Sequence, residues 1–147
     1  MEIKNLYTIH RIIMVIATCV LLPIGLFMSL GKKYVGENWY VYHKNIMLSV
    51  VGLMFIGIMI SLYTREKDKE KRPLGLRHGT LGIIIFIVFL IQIWWAIVMR
   101  KQVSTKSEQR LLSKKTWLNM HRVFATIIVS LIFYQLYLGL KIYKTLN

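Results

Sequence analysis

The sequence predicts an all-α membrane protein, a four-transmembrane-helix up-down bundle, and three observations lead to this fold class. The chain of 147 residues is 56% hydrophobic, whereas soluble globular domains contain about 45–50% apolar residues. It also carries a formal net charge of +14, so charged and apolar residues must lie in separate segments. Four segments contain no charged residue at all, namely residues 12–31, 45–64, 78–99 and 123–140.

Each charge-free segment is long enough to cross a bilayer as one helix. A helix rises about 1.5 Å per residue, so about 20 residues cover the hydrocarbon core of roughly 30 Å. None of the segments has the polar stripe of a helix at the surface of a soluble protein. We predict helices at about residues 8–31, 40–64, 76–100 and 116–143, within a single domain of residues 1–147. Pro23, together with Gly25, is expected to kink the first of them.

The basic residues lie outside these segments, which points to the lipid bilayer as their partner and not to nucleic acid. Lys and Arg outnumber Asp and Glu by 20 to 6. The most charged run, residues 65–72, contains no aromatic side chain that could stack on a base. Such a run suits lipid headgroups. Lys and Arg are shared equally between the two sides of the predicted bundle, so the positive-inside rule leaves the orientation open.

Each predicted helix has one histidine near its N-terminal end, and the chain has no others: His10, His43, His78 and His121. Because consecutive helices run antiparallel, His10 and His78 share one depth in the bilayer, and His43 and His121 share the opposite depth. Any one of them could be a simple interfacial residue, but four equivalent placements favour a functional site. Two facing imidazoles can take both axial positions of a haem iron. Zinc or copper would need three or four donors.

Every histidine also has a basic neighbour in the chain. These neighbours are Arg11, Lys44, Arg77 and Arg122. Arg and Lys are suited to the propionates of a haem, and we predict these four as cofactor-binding residues. The competing interpretation is that basic residues commonly end apolar helices at the membrane surface. Met14 and Met47 follow His10 and His43 by four residues, which suits either axial ligation or, more commonly, packing.

The interior of the predicted helices is otherwise poor in polar groups. No Asp or Glu lies inside any of the four segments. A proton-coupled transporter usually needs an intramembrane carboxylate, so this class is disfavoured. Gln92 and Gln135 are the most polar residues deep in the third and fourth helices, and we expect them to form hydrogen bonds between helices.

Taken together, the four helix starts resemble the cytochrome b561 family, in the four-helix form of the membrane part of its DOMON-associated members. The matching segments are Ile9-His10-Arg11 and Leu22-Pro23-Ile24-Gly25 in the first helix, Trp39-Tyr-Val-Tyr-His43 in the second, Arg77-His78-Gly79-Thr-Leu-Gly82 in the third, and Trp117-Leu-Asn-Met-His121-Arg122 with Tyr137-Leu-Gly139-Leu in the fourth. The resemblance covers nearly the whole chain.

This resemblance implies two b haems, the first bound by His10 and His78 and the second by His43 and His121. It also implies electron transfer across the membrane, often from ascorbate to ferric chelates or monodehydroascorbate, and an N-terminus on the non-cytoplasmic face. The activity would then be that of a transmembrane oxidoreductase.

A different class of function is compatible with the same sequence. The chain could be an anchor or accessory subunit of a larger membrane complex, for example a respiratory one, with one haem or none. In both cases the electron donor and acceptor are other molecules that the sequence does not name. The plasma membrane, an endomembrane and the mitochondrial inner membrane all fit the sequence.

Overall fold

The structure, a computed structural model, describes residues 3–67, 73–104 and 113–146, with the backbone alone for 73–76, 101–104 and 145–146. Every regular element within these ranges is a helix. The elements are α1 (Ile3–Val15), a π-helical segment (Ile16–Leu21), α2 (Leu22–Leu30), α3 (Lys32–Val35), α4 (Trp39–Lys67), α5 (Pro73–Ser104) and α6 (Lys114–Leu146).

Four stretches are long and apolar enough to span a membrane: Ile3–Leu30, Trp39–Lys67, Arg77–Arg100 and Lys114–Lys144. The predicted all-α membrane fold with four spanning helices is thereby confirmed. The helices extend beyond the predicted bounds because Lys, Arg and Glu, which end the apolar segments, are themselves good helix formers. For example, α4 continues through Arg65 and Glu66 to Lys67.

The first span changes its helical geometry immediately before Pro23. Proline has no N–H, and its ring clashes with the carbonyl four residues earlier in a regular helix. The π-helical segment ends at this point, and the N–H of Leu22 donates to the carbonyl oxygen of Ala17, five residues earlier. Pro23 then lies in the first turn of α2, where its fixed φ suits the helical backbone. The observed irregularity next to Pro23 is thus a π-helical turn.

Most apolar side chains of the spans face outward. In the most apolar window of each span, only 17–22% of the residues are buried. Many large apolar side chains are exposed, for example Leu30 at 77% and Phe133 at 66%. A soluble domain rarely exposes so much apolar surface. This arrangement is that of an integral, multi-pass membrane protein, whose apolar surface faces lipid.

The chain divides into two compact units, residues 1–79 and residues 80–147. In the first unit, α1, the π-helical segment and α2 all contact α4. His10 in α1 contacts Gly57 in the second half of α4, and Gly25 in α2 contacts His43 near the beginning of α4, so the first two spans are antiparallel. The second unit contains most of α5 and all of α6. Its buried apolar side chains are Ile85, Phe89, Ile128, Ile132 and Leu138.

Candidate functional site

His10 and His78 lie side by side in the first compact unit. Their ring centroids are 6.4 Å apart and their ring planes are perpendicular. Imidazole nitrogens typically bind a metal at about 2.0–2.1 Å, so two nitrogens on one metal stand roughly 4 Å apart. Since the ring centroids lie farther out than the nitrogens, a separation of 6.4 Å leaves room for one metal atom between the rings.

A backbone carbonyl fixes the tautomer of His10. Its Nδ1 is 2.7 Å from the carbonyl oxygen of Gly57 on α4. A carbonyl oxygen can only accept a hydrogen bond, so Nδ1 carries the hydrogen and donates it. In the neutral ring this leaves the lone pair on Nε2, the nitrogen then available to a metal. Metal-binding histidines usually have such a partner, which orients the ring and raises its basicity.

His43 has the same arrangement in the opposite direction. It lies on α4, and its Nδ1 is 2.7 Å from the carbonyl oxygen of Gly25 on α2. The hydrogen therefore resides on Nδ1, and in the neutral ring the lone pair lies on Nε2, as in His10. Each of the first two spans thus supplies one histidine and one carbonyl acceptor to the other.

The two methionines that follow these histidines pack against the same glycines. A Cβ atom at Gly57 would lie 2.7 Å from Sδ of Met14, and one at Gly25 would lie 2.6 Å from Cε of Met47. A side chain at either position would therefore require the methionine to move. Of the two interpretations of Met14 and Met47, packing is therefore the one that their contacts support.

His121 belongs to the second unit and has different partners. The ring of Trp117 stacks on its face, with centroids 5.7 Å apart and planes at 13°. Nε2 of the buried Gln92 is 2.8 Å from Nδ1 of His121 and 2.9 Å from its carbonyl oxygen. The hydrogen bond expected between helices from Gln92 is confirmed, and it joins α5 to α6. Gln135 lies close to Gly82, where a Cβ atom would be 2.8 Å from the Gln135 amide nitrogen.

The predicted basic residues differ in exposure. Arg11 and Lys44 are half-buried, whereas Arg77 and Arg122 are exposed. A further basic residue, which the sequence assigned only to a charged run, reaches the site: Nη1 of Arg65 is 3.7 Å from the position of a Cβ atom at Gly79. Gly79 directly follows His78. The sequence contains a signal for this proximity. The second span ends at Thr64 and the third begins at His78, and antiparallel neighbours bring these two ends to one depth in the bilayer.

Two structural observations bear on the chemical group that these residues could bind. Within the described part of the chain, no cluster of three or more His, Cys, Asp or Glu side chains could hold a metal ion. His10 and His78 form a pair of neighbouring imidazoles, and two imidazoles can bind one haem iron. The buried indole nitrogens of Trp95 and Trp117 also have no acceptor among the described residues. Trp117 stacks on His121, so a group bound there that brought an acceptor oxygen would fit.

The family described as eukaryotic cytochrome b561 matches residues 9–146, nearly the entire chain. The chain belongs to the cytochrome b561 family. No curated protein and no solved structure matches it. Membership in the cytochrome b561 family indicates transmembrane electron transfer by haem b.

Proposed function

We propose that this member of the cytochrome b561 family carries single electrons between the two membrane faces through two b haems. His10 and His78 would bind the iron of the first haem, and His43 and His121 would bind that of the second. The observation that carries the proposal is the separation of 6.4 Å between the rings of His10 and His78. No cluster of three donors competes with this pair within the described residues.

Support for the second haem comes from the equivalence of His43 and His10. Both rings donate from Nδ1 to a glycine carbonyl at 2.7 Å, and in both neutral rings the lone pair then lies on Nε2, the nitrogen that would bind a metal. His43 and His121 share one predicted depth because each opens a span that runs in the same direction. The partner that the sequence assigns to His43 is therefore His121.

The haems would supply an iron that accepts and releases one electron, and the chain would supply the rest. The four histidines bind the two irons, and the spans hold them in a medium of low dielectric constant. The basic residues neutralise the propionates at the membrane surface. On this assignment Arg11, Arg77 and Arg65 serve the first haem, whereas Lys44 and Arg122 serve the second.

The electrons would enter and leave through other molecules at the two surfaces. Ascorbate as the donor, and a ferric chelate or monodehydroascorbate as the acceptor, are the partners that the family resemblance implies. The chain would then be a transmembrane reductase whose own residues bind and insulate the haems. Subunits of a larger membrane complex could replace these small molecules as donor and acceptor.

The test is the haem content of the purified protein and of four variants. The dithionite-reduced minus oxidised spectrum and the pyridine haemochrome are expected to give two low-spin b haems per chain. His10→Ala and His78→Ala should each lose the same haem, and His43→Ala and His121→Ala the other. Retention of both haems in any one variant would contradict the ligand assignment. A folded protein without haem would instead favour an accessory subunit.

A further inference from the structure

Gln92 is one of few buried polar side chains in the described part of the spans, with 6% of its surface exposed. It lies on α5, and its amide nitrogen contacts His121 on α6. Nε2 of Gln92 is 2.9 Å from the carbonyl oxygen of His121 and 2.8 Å from Nδ1 of the ring. The amide therefore contacts both the backbone and the ring of a predicted iron ligand.

The backbone contact decides which amide atom faces the ring. The carbonyl oxygen of His121 can only accept a hydrogen bond, so the Gln92 atom opposite it must be the nitrogen. That nitrogen has a second hydrogen, and its other neighbour is Nδ1. Nδ1 of His121 is therefore an acceptor, and the hydrogen of the neutral ring resides on Nε2.

This tautomer is opposite to that of His10 and His43. Their Nδ1 atoms donate to carbonyl oxygens, which leaves the lone pair on Nε2. In His121 the Nε2 atom carries the hydrogen, and the lone pair of Nδ1 is occupied by Gln92. A ring held in this way presents no lone pair to an iron at Nε2.

We propose that Gln92 is a positioning residue that holds His121 in this tautomer and turns its amide when His121 binds iron. The inference rests on the proposed function, which assigns His121 to a haem. When the amide turns, Oε1 accepts a hydrogen bond from Nδ1, and the bond to the His121 carbonyl is lost. One hydrogen leaves Nε2 and one binds Nδ1, so the ring stays neutral. The stacked ring of Trp117 keeps the imidazole plane in place.

The first test measures haem affinity in a His10→Ala background, where only the haem of His43 and His121 is expected to remain. Gln92→Leu removes the acceptor that the bound ring needs. Loss of such a partner typically lowers metal affinity 10–100-fold, and we expect a decrease of about that size. Gln92→Glu keeps an acceptor oxygen, so its affinity should equal or exceed that of the Gln92 protein. Gln135→Leu, at the other glutamine of the spans, is the matched control and should leave this haem bound.

The second test reads the tautomer of His121 without measuring activity. In His43→Ala, the haem of His10 and His78 remains and His121 has no iron. Histidine ¹⁵N NMR of this variant, reduced with dithionite, should show the hydrogen of His121 on Nε2. Adding Gln92→Glu should move that hydrogen to Nδ1. A His121 ring that already carries its hydrogen on Nδ1 with Gln92 present would overturn the proposal.

Failure of this inference can be distinguished from failure of the proposed function. Haem that persists in His10→Ala/His121→Ala would overturn the assignment of His121, and with it the role of Gln92. Haem that disappears with His121→Ala but binds equally well with Gln92→Leu would overturn the role of Gln92 alone.

Discussion

His10 donates a hydrogen bond from Nδ1 to the carbonyl oxygen of Gly57 at 2.7 Å, across 47 residues of sequence. The bond connects the beginning of the first span to the later half of the second. It fixes the ring tautomer without using a second side chain, so the helix that packs against His10 also orients its ring.

The same relationship recurs between His43 and Gly25 with the direction reversed. Each span has a histidine, a methionine four residues later, and a glycine 14 or 15 residues after the histidine. Antiparallel packing places each glycine against the histidine and methionine of the other span. The hairpin of the first two spans is therefore approximately two-fold symmetric, and this suits a protein with one metal site near each membrane face.

A methyl group at position 57 should disturb the site of His10. In Gly57→Ala, the new Cβ would lie 2.7 Å from Sδ and 3.3 Å from Cγ of Met14, and 3.6 Å from Nδ1 of His10. Overpacking of this kind typically costs about 1–3 kcal/mol. We expect a lower melting temperature in detergent and partial loss of the haem of His10 and His78, measured by pyridine haemochrome.

Gly52→Ala is the matched control on the same helix. A Cβ atom at Gly52 would have no neighbour within 4 Å. Alanine improves helix propensity by about 1 kcal/mol over glycine, so this variant should be as stable as the unmodified protein or slightly more so. Equal losses of haem in the two variants would show that the space at Gly57 has no special role.

Gly25→Ala should have a smaller effect, and on the other haem. The closest atom to its new methyl group would be Cε of Met47 at 2.6 Å, the end of a flexible side chain, followed by Cγ2 of Ile46 at 3.0 Å. Met47 can move its terminal methyl group more easily than Met14 can move its sulfur. We expect the haem of His43 to be weakened less than Gly57→Ala weakens that of His10, and Met47→Ala to restore part of the loss. A failure of Met47→Ala to compensate would contradict this account of the contact.

Substitution of the two methionines themselves distinguishes packing from ligation. Met14→Leu and Met47→Leu approximately conserve volume, and such changes usually cost less than about 1.5 kcal/mol. We therefore expect both variants to keep two haems with unchanged low-spin spectra. Loss of a haem, or a high-spin spectrum, in either variant would identify the sulfur as an axial ligand.

The spans and the depth of each histidine were predictable because they depend on patterns that the sequence displays directly. A charge-free segment of about 20 residues defines a span, and the alternation of direction assigns the depth of His10 relative to His78. The carbonyl acceptors were not predictable in this way. Gly25 and Gly57 accept through their backbones, and every residue has such a group.

The partner of His121 was only half predictable. The polarity and the depth of Gln92 indicate a hydrogen bond to another helix. Which residue takes part in that bond depends on the rotation of α5 and α6 about their axes. Packing of many side chains sets this rotation. Pro23 is a similar case. Its missing N–H predicts an irregularity in the helix but allows either a kink or a π-helical turn.

Arg65 offers a test of the electrostatics at the first haem. Its guanidinium lies against Gly79, next to His78, and a positive charge near an iron favours the reduced state. Arg65→Gln should therefore lower the midpoint potential of the haem of His10 and His78. An exposed charge interaction is typically worth about 0.5 kcal/mol, which corresponds to roughly 20 mV for one electron.

Potentiometric titration would measure this shift of the midpoint potential, with His43→Ala as the background so that one haem is observed. Lys67→Gln is the control, because it removes one positive charge, as Arg65→Gln does. Nζ of Lys67 lies over the ring of Tyr63, 4.5 Å from its centroid. An equal shift in both variants would mean that the net charge of this surface acts on the haem, and that the position of Arg65 beside His78 does not.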